Sequence, residues 1–311
     1  SVLLDVLAYN THYLGYNANM LANEMFIDSA DLRASVVSKA KQVGYTPTST
    51  TASTATIDVL VNDASGASLT MSAGTKFTTT VDSQSYAFVN KEDISITPTD
   101  SVYKFSNLEI YEGSYLNYKY TVSTSDLDQR FIIPNDNVDT TTLTVKVQES
   151  SSDSTTNTYT LATGITGLDS TSKVYFLQEV EGGRFEVYFG DGVLGKAVAD
   201  GNIVILDYIT CNRGAPNGAT TFSLSGTIGG FSSATITTVS NASGGAGPES
   251  ISSIKYNAPR DYGTQDRAVT AEDYKVLVKS LYANAQAVQI YGGEDAETPS
   301  YGKVFISIKA N

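Results

Sequence analysis

The chain has 311 residues, a formal net charge of −13, 41% apolar and 17% charged residues, one His, one Cys, 20 Tyr and no Trp. One His and one Cys exclude a Cys/His zinc site and an internal disulfide, and an acidic chain has the wrong sign to gather phosphate backbones. No run approaches the roughly 18 apolar residues of a membrane helix, which leaves a Tyr-, Ser- and Thr-rich protein of β-dominated composition.

The first 47 residues read as a helical hairpin. Val2, Leu3, Val6, Leu7, Tyr13, Leu14, Leu21, Met25 and Phe26 recur at three-to-four spacing on one broad face. After a break at Asp28-Ser29, Asp28 and Asp31 resemble a capping arrangement for a second helix. Its stripe is Leu32, Val36, Val37 and Ala40, and Gly44 and Pro47 stop it. Two helices cannot bury this much apolar surface between themselves, so the pair is expected to pack on a further segment or another chain. Leu3, Leu7, Leu14, Leu21 and Met25 are therefore candidates either for an interface or for an intrachain core.

Residues 48–56 read as a Ser/Thr linker, and strand signals follow. Ile57, Val59 and Val61 alternate with polar or outward positions. Residues 77–81 and 86–89 look like a hairpin, and 102–105, 108–111, 115–122 and 143–147 like further strands. The polar stretch 150–158 reads as an exposed loop. Strands at 174–177 and 185–189 flank the turn Glu181-Gly182-Gly183, a second tight turn is expected at Gly190-Asp191-Gly192, and residues 203–208 form another strand. Gly244–Pro248 reads as a link between domains.

A short helix is expected from Glu249, ending before Pro259. Thr270 is an N-cap candidate for a second helix, with Glu272 and Asp273 in its first turn, where negative charge is favourable. Strands at 285–291 and 301–308 follow. The expected fold class is α+β: helical over 1–47, β-rich and sandwich-like over 48–170, β-hairpin-rich over 171–248, and mixed α/β over 249–311. Ser1 opens directly into an amphipathic run and Asn311 follows a strand pattern, so both ends read as cuts through structure, as in a piece of a longer chain.

Chemistry is sparse. His12 lies mid-helix and Cys211, the only thiol, in a β-rich region far along the chain, so His12 reads as a helix-face residue in a packing interface and not as half of a Cys/His dyad, and no pair stands out among the plentiful carboxylates. Asn135-Asp136-Asn137-Val138-Asp139 lacks the spacing, central Gly and terminal Glu of an EF-hand loop. The Gly-rich stretches at 226–230 and 244–247 lack a phosphate-loop context. Neither a catalytic set, a metal site nor a cofactor site is expected.

Three stretches together resemble a known family. Residues 3–13 and 19–24, LLDVLAYNTHY and NMLANE, resemble the N-terminal helices of the T-even phage baseplate wedge ring subunits. Phe189-Gly190-Asp191-Gly192-Val193-Leu194-Gly195 resembles the FGDG-x-x-G hairpin of the wider baseplate J-like family, and Gly201 can fill the place of its further glycine. Ala258-Pro259 followed by Arg267-Ala268-Val269-Thr270-Ala271-Glu272-Asp273-Tyr274 resembles that family's C-terminal signature.

The resemblance implies a structural, non-enzymatic subunit of a contractile-tail baseplate wedge, located in the virion and assembled in the host cytoplasm. Such subunits build the inner ring by associating with copies of themselves and with other wedge subunits, without cofactor, nucleic acid or membrane insertion. Their N-terminal helices join a bundle contributed by more than one chain. Gly190, Asp191, Gly192 and Gly195 would hold a tight turn, and Arg267, Thr270 and Asp273 a helix start. The competing expectation is a carbohydrate-binding or carbohydrate-active tail protein, since Tyr-, Ser- and Thr-rich β-domains also bind sugars.

Overall fold

The computed structural model describes residues 2–62, 64–99, 102–126, 128–165, 167–265, 267–282 and 285–310. Two helices, α1 (Val2–Asn23) and α2 (Arg33–Gln42), lead the chain. Next come β1 (Thr54–Val61), β2 (Leu69–Met71), β3 (Lys76–Val81), β4 (Gln84–Val89), β5 (Ile94–Ile96), β6 (Tyr103–Glu112) and β7 (Ser114–Thr121). They are followed by β8 (Phe131–Ile132), β9 (Val138–Ser150), β10 (Asp153–Leu161), β11 (Val174–Glu179) and β12 (Phe185–Phe189). The strands β13 (Ile203–Thr210), β14 (Ser223–Ser225) and β15 (Ala234–Ser243) complete this region. Helices α3 (Ile251–Thr264) and α4 (Ala271–Leu281) and strands β16 (Ala285–Gly292) and β17 (Val304–Ala310) follow. This is the expected α+β class, helical first, β-rich in the middle and mixed at the end.

Contacts divide the chain into two compact units, one of residues 49–178 and 184–248, the other of residues 1–48, 179–183 and 249–311. The first is all β. Its six-stranded sheet runs β14-β3-β4-β6-β1-β15. Alternation on β1 points Ala55, Ile57, Val59 and Val61 inward, where they meet Phe77, Phe88, Phe105 and Ile110 in a core that also takes Leu69 and Met71 from the β2–β5 ribbon. The seven-stranded sheet runs β7-β13-β9-β10-β11-β12-β8 and has its own core, including Val145, Val187, Leu206 and Tyr208. Its strand β13 is buried on both faces from Val204 to Ile209, the pattern of a central strand. Asp207 within it is paired with Lys146 at 2.9 Å.

Four local expectations are overturned. Residues 48–56 are no free linker: Ser49, Thr50 and Ser53 are buried, with Ser53 Oγ donating to Asn217 Oδ1 at 2.7 Å and Ser49 Oγ 2.8 Å from Thr140 Oγ1. Hydroxyl groups satisfied in this way can line an interior. The polar stretch 150–158 is mostly strand, because β9 and β10 pair through backbone groups that composition does not report. The expected strands 102–105 and 108–111 are one strand, β6 (Tyr103–Glu112), not two, with a left-handed residue at Asn107 (φ +52°) whose N–H donates to Asp58 Oδ1 at 2.8 Å. Helix α3 runs through Pro259 to Thr264, its buried Ile254 and Ala258 packed with α2 residues Val36, Val37 and Ala40. That packing offsets the loss of one helical hydrogen bond at the proline.

Gly113 turns β6 into β7 with φ +127°, and a Cβ there would overlap the Thr210 carbonyl oxygen. Both the backbone conformation and the contact demand glycine. Gly113→Ala is expected to destabilise the protein by about 2 kcal/mol, seen as a lower urea midpoint in Tyr fluorescence or circular dichroism.

Candidate assembly surface

Helix α1 is the feature that the rest of its unit does not explain. None of its residues, Val2 to Asn23, is buried. Leu3, Leu14 and Leu21 are 74%, 70% and 70% exposed, Leu7 53%, and Met25 just beyond the helix 64%. Local contacts hold the helix: Thr11 Oγ1 donates to Leu7 O at 2.8 Å, and the Tyr9 and Tyr13 rings lie 4.5 Å apart at i,i+4 spacing. A helix without tertiary packing gives up the main source of helical stability in proteins. Each large aliphatic side chain left in water forgoes about 1.5–3 kcal/mol of burial.

The break after α1 is built differently from the expected Asp28/Asp31 cap. Leu32 occupies the N-cap of α2 and makes no side-chain capping bond. The Glu24 carboxylate takes over, accepting from Asp31 N at 2.9 Å and Leu32 N at 3.3 Å. A bond from the Ser35 hydroxyl, followed by these backbone bonds, holds the Glu24 carboxyl below the usual range. Gly44 (φ +81°) follows α2 as expected of a helix stop.

Within the same unit, α2 carries a side chain that periodicity and motif do not single out. Arg33 Nε and Nη2 each donate at 2.7 Å to one oxygen of Glu179, which is 2% exposed, and Nη1 donates to the Glu249 carbonyl. The Glu249 carboxylate accepts from Tyr45 Oη (2.8 and 2.9 Å), Ser253 Oγ (2.6 Å) and Asn257 Nδ2 (2.8 Å). Burial, followed by the Glu249 charge, raises the Tyr45 hydroxyl well above its ordinary value.

The segment 189–195 is a tight loop and no hairpin. Strand β12 pairs with β8, and β13 lies between β7 and β9. Asp191 Oδ1 accepts from Leu194 N at 3.0 Å and Val193 N at 2.9 Å, and these bonds lower its carboxyl. Gly192 N donates to Gly195 O at 3.1 Å, and a Cβ on Gly190 would overlap the Leu194 carbonyl oxygen. Gly192 and Gly195 have φ +87° and +92°. Most of these bonds stay within the loop, and Gly195 N anchors it by donating to Asp169 O at 3.0 Å.

At the start of α4, Thr270 Oγ1 accepts from Asp273 N at 3.2 Å, and Asp273 Oδ2 accepts from Thr270 N at 2.7 Å, a reciprocal capping box. Arg267 N donates to Thr264 O at 2.9 Å, turning the chain out of α3. Cys211 is buried, its thiol pushed up to about 11 by burial, the opposite of an activated nucleophile. Asp139 is likewise enclosed, its two oxygens taken by Ala52 N, Thr141 N and Thr141 Oγ1. Among the described residues no three His, Cys, Asp or Glu side chains gather as a metal site, and no helix is long and apolar enough to cross a membrane.

A β unit whose buried side-chain polar atoms, Thr79 Oγ1 apart among the described residues, are hydrogen-bonded, together with an exposed apolar helix without cover, marks the class of structural assembly proteins. Three family profiles match in chain order. The helical domain of "Baseplate wedge protein gp6-like" covers residues 1–45, the third domain of "Bacteriophage baseplate wedge protein gp6" covers 118–218, and C-terminal domain I of "Baseplate structural protein gp6" covers 270–311. The chain is 30% identical to baseplate wedge protein gp6 of Enterobacteria phage T4, over 99% of its own length and 49% of that protein. It belongs to the T4-like baseplate wedge proteins, structural components of the phage tail baseplate in the virion. The chain spans about half the length of the curated relative it matches.

Proposed function

We propose that the chain builds the inner ring of a contractile-tail baseplate by associating with copies of itself and with other wedge subunits, α1 being the helix it contributes to a bundle of several chains. The observation that carries this reading is α1 itself, 22 residues long with none buried. Leu3, Leu7, Leu14, Leu21 and Met25 are the contact residues of that interface. The match of residues 1–45 to a domain described as helical supports the assignment of α1 to a dedicated segment. The loop of Gly190, Asp191, Gly192 and Gly195 serves as scaffold, in the manner of the baseplate J-like family, and Arg267, Thr270 and Asp273 set the start of α4. The protein works without catalysis or cofactor, and assembly takes place in the host cytoplasm.

The test is light scattering of the 311-residue chain, alone and with the other wedge proteins, beside a Leu7→Ser/Leu14→Ser/Leu21→Ser variant. The native chain is expected to self-associate and to co-elute with wedge partners. The variant should lose both while its unfolding midpoint stays unchanged, because those side chains contribute nothing to the monomer's interior. A native chain that stays monomeric and ignores the partners, or a variant that assembles as well as the native chain, would overturn the reading.

A further inference from the structure

Strand β6 is paired on both sides at its ends but on one side only along its middle. β1 runs along one edge. On the other edge Val89 of β4 pairs with Tyr111, and Thr99 pairs with Val102 through backbone bonds of 2.9 and 3.0 Å. Between these two closures the chain leaves the sheet, and β5 pairs with β2 instead.

Alternation along the strand fixes which groups are left over. Glu112 N donates to Ser53 O on the β1 side, and Gly113 N donates to Ala87 O on the β4 side, so Tyr111 and Glu109 address the β4 side. Past the irregularity at Asn107, Phe105 and Tyr103 face Val59 and Val61 of β1, and Val102 faces Thr99. Lys104 and Ser106 therefore address the same side as Val102. Among the described residues, the backbone N–H and C=O groups of Lys104, Ser106 and Glu109 meet no partner there. The open stretch, residues 104–109, is about 20 Å long.

This edge lacks the usual guards. Proteins blunt an open edge with proline, a charged side chain or a bulge that turns it away. No proline lies in 104–109. The Lys104 ammonium is drawn to Asp58 at 2.5 Å, and the extra residue Asn107 turns its N–H to Asp58 on the β1 side. The edge opens onto a cavity of about 320 Å³, with Phe105 and Leu108 as a buried floor and Ile94 and Ile96 as a half-buried wall. Exposed Glu92 and Glu109 stand at its rim, while Lys91 lies over the Tyr111 ring, 5.3 Å from its centre.

We propose that this window takes an extended segment of another protein, laid along β6 in the place that β4 vacates, with alternating aliphatic and basic side chains. Main-chain bonds to Lys104, Ser106 and Glu109 hold the guest strand, and the cavity selects its aliphatic side chain. The basic side chains meet Glu92 and Glu109. Charge decides between guests: the chain carries −13, so a second copy brings mostly like charge to an acidic rim, and a basic segment brings the opposite sign. The site lies in the β unit and does not depend on what α1 does.

The test is fluorescence anisotropy of a labelled hexapeptide, lysine alternating with valine or isoleucine, titrated with the 311-residue chain. Saturable binding is expected. Methylating the peptide's alternate amide nitrogens should weaken it about tenfold, and Ser106→Pro, which removes one edge N–H, should act in the same direction. The peptide arm leaves the protein untouched, so it decides the matter even if Ser106→Pro fails to fold. Glu92→Lys/Glu109→Lys should weaken the lysine peptide about tenfold and favour its glutamate analogue. No saturable binding by the native chain overturns the proposal. Equal binding of the plain and methylated peptides would show attraction by charge alone, without strand addition, and overturns it too. A native chain whose self-association is abolished by Ser106→Pro would make a second copy the guest and overturn the assignment of a foreign basic segment.

Discussion

Arg33→Ala should cost about 3–5 kcal/mol of stability, read as a large fall in the unfolding midpoint of the unit that contains α2 and α3. The loss is not the worth of the ion pair. Arg33 is 27% exposed, but its partner Glu179 is 2% exposed and receives both of its 2.7 Å bonds from the guanidinium. Truncating the arginine leaves a desolvated carboxylate without its donors and also strips a donor from the Glu249 carbonyl. The asymmetry supplies the control. A double variant, Arg33→Met with Glu179→Leu, removes both charges and should be less destabilised than Arg33→Ala alone. Arg33→Lys should fall between, since a point charge cannot reproduce the two-pronged geometry. Equal losses in the double and single variants would show that packing of the arginine stem is what counts.

The elements of the β unit were readable in the sequence where a single face is buried. Period-two alternation marks β1, and the observed burial follows it residue by residue. The hairpin of β3 and β4 is marked by its two apolar runs, and its turn at Asp82 and Ser83 takes the positive φ that tight hairpins need. The partners of each strand were not readable. β1 pairs with β15, whose residues lie far down the chain, and Ile57 faces Thr238 for reasons of global packing that no local window contains. Ser49 and Ser53 defeated composition in the same way, because a hydroxyl is judged polar until its acceptor is known. The strand β10, nearly all Ser, Thr and Asn on its exposed side, is held by backbone bonds to β9.

The assembly surface shows a similar division. The apolar stripe of α1 was visible because it is a local periodicity, and the N-cap Thr270 because its signal spans one turn, while the reciprocal bond from Asp273 that makes it a capping box emerged only in the structure. The Arg33–Glu179 pair joins residues 146 apart, so neither charge announces a partner. The FGDG segment was visible as a motif, but its pairing was not: Asp-Gly favours a hairpin turn only when the flanking strands are neighbours, and here the chain leaves β12 for a strand on the far side of the sheet. A glycine-rich motif constrains the backbone locally and says little about where the chain goes next.

Asp139→Asn should destabilise the β unit by about 3 kcal/mol at neutral pH, and its effect should depend on pH in a defined direction. Asp139 is 2% exposed, and its carboxylate accepts three bonds: Ala52 N at 2.8 Å on one oxygen, and Thr141 N at 2.9 Å and Thr141 Oγ1 at 2.6 Å on the other. An amide offers one oxygen for the Thr141 pair and turns an NH2 toward the Ala52 N–H, donor against donor. Burial raises the Asp139 carboxyl above its ordinary value, and the donors from Ala52 and Thr141 pull it part of the way back. A raised folded value means that the native state holds this proton more tightly than the unfolded chain. The stability tied to that proton is fully present below the ordinary carboxylate value, near ~4, and is lost as pH rises through the folded value. Glu112, buried and bonded to Asn212 N and Nδ2, is shifted the same way, again chiefly by burial. The native chain's advantage over Asp139→Asn in urea unfolding should therefore be largest in acid and shrink as pH rises through that window, while the contribution of Glu112, common to both chains, cancels. An advantage that grows with pH would mean that the three donors outweigh desolvation and that the carboxyl is held ionised.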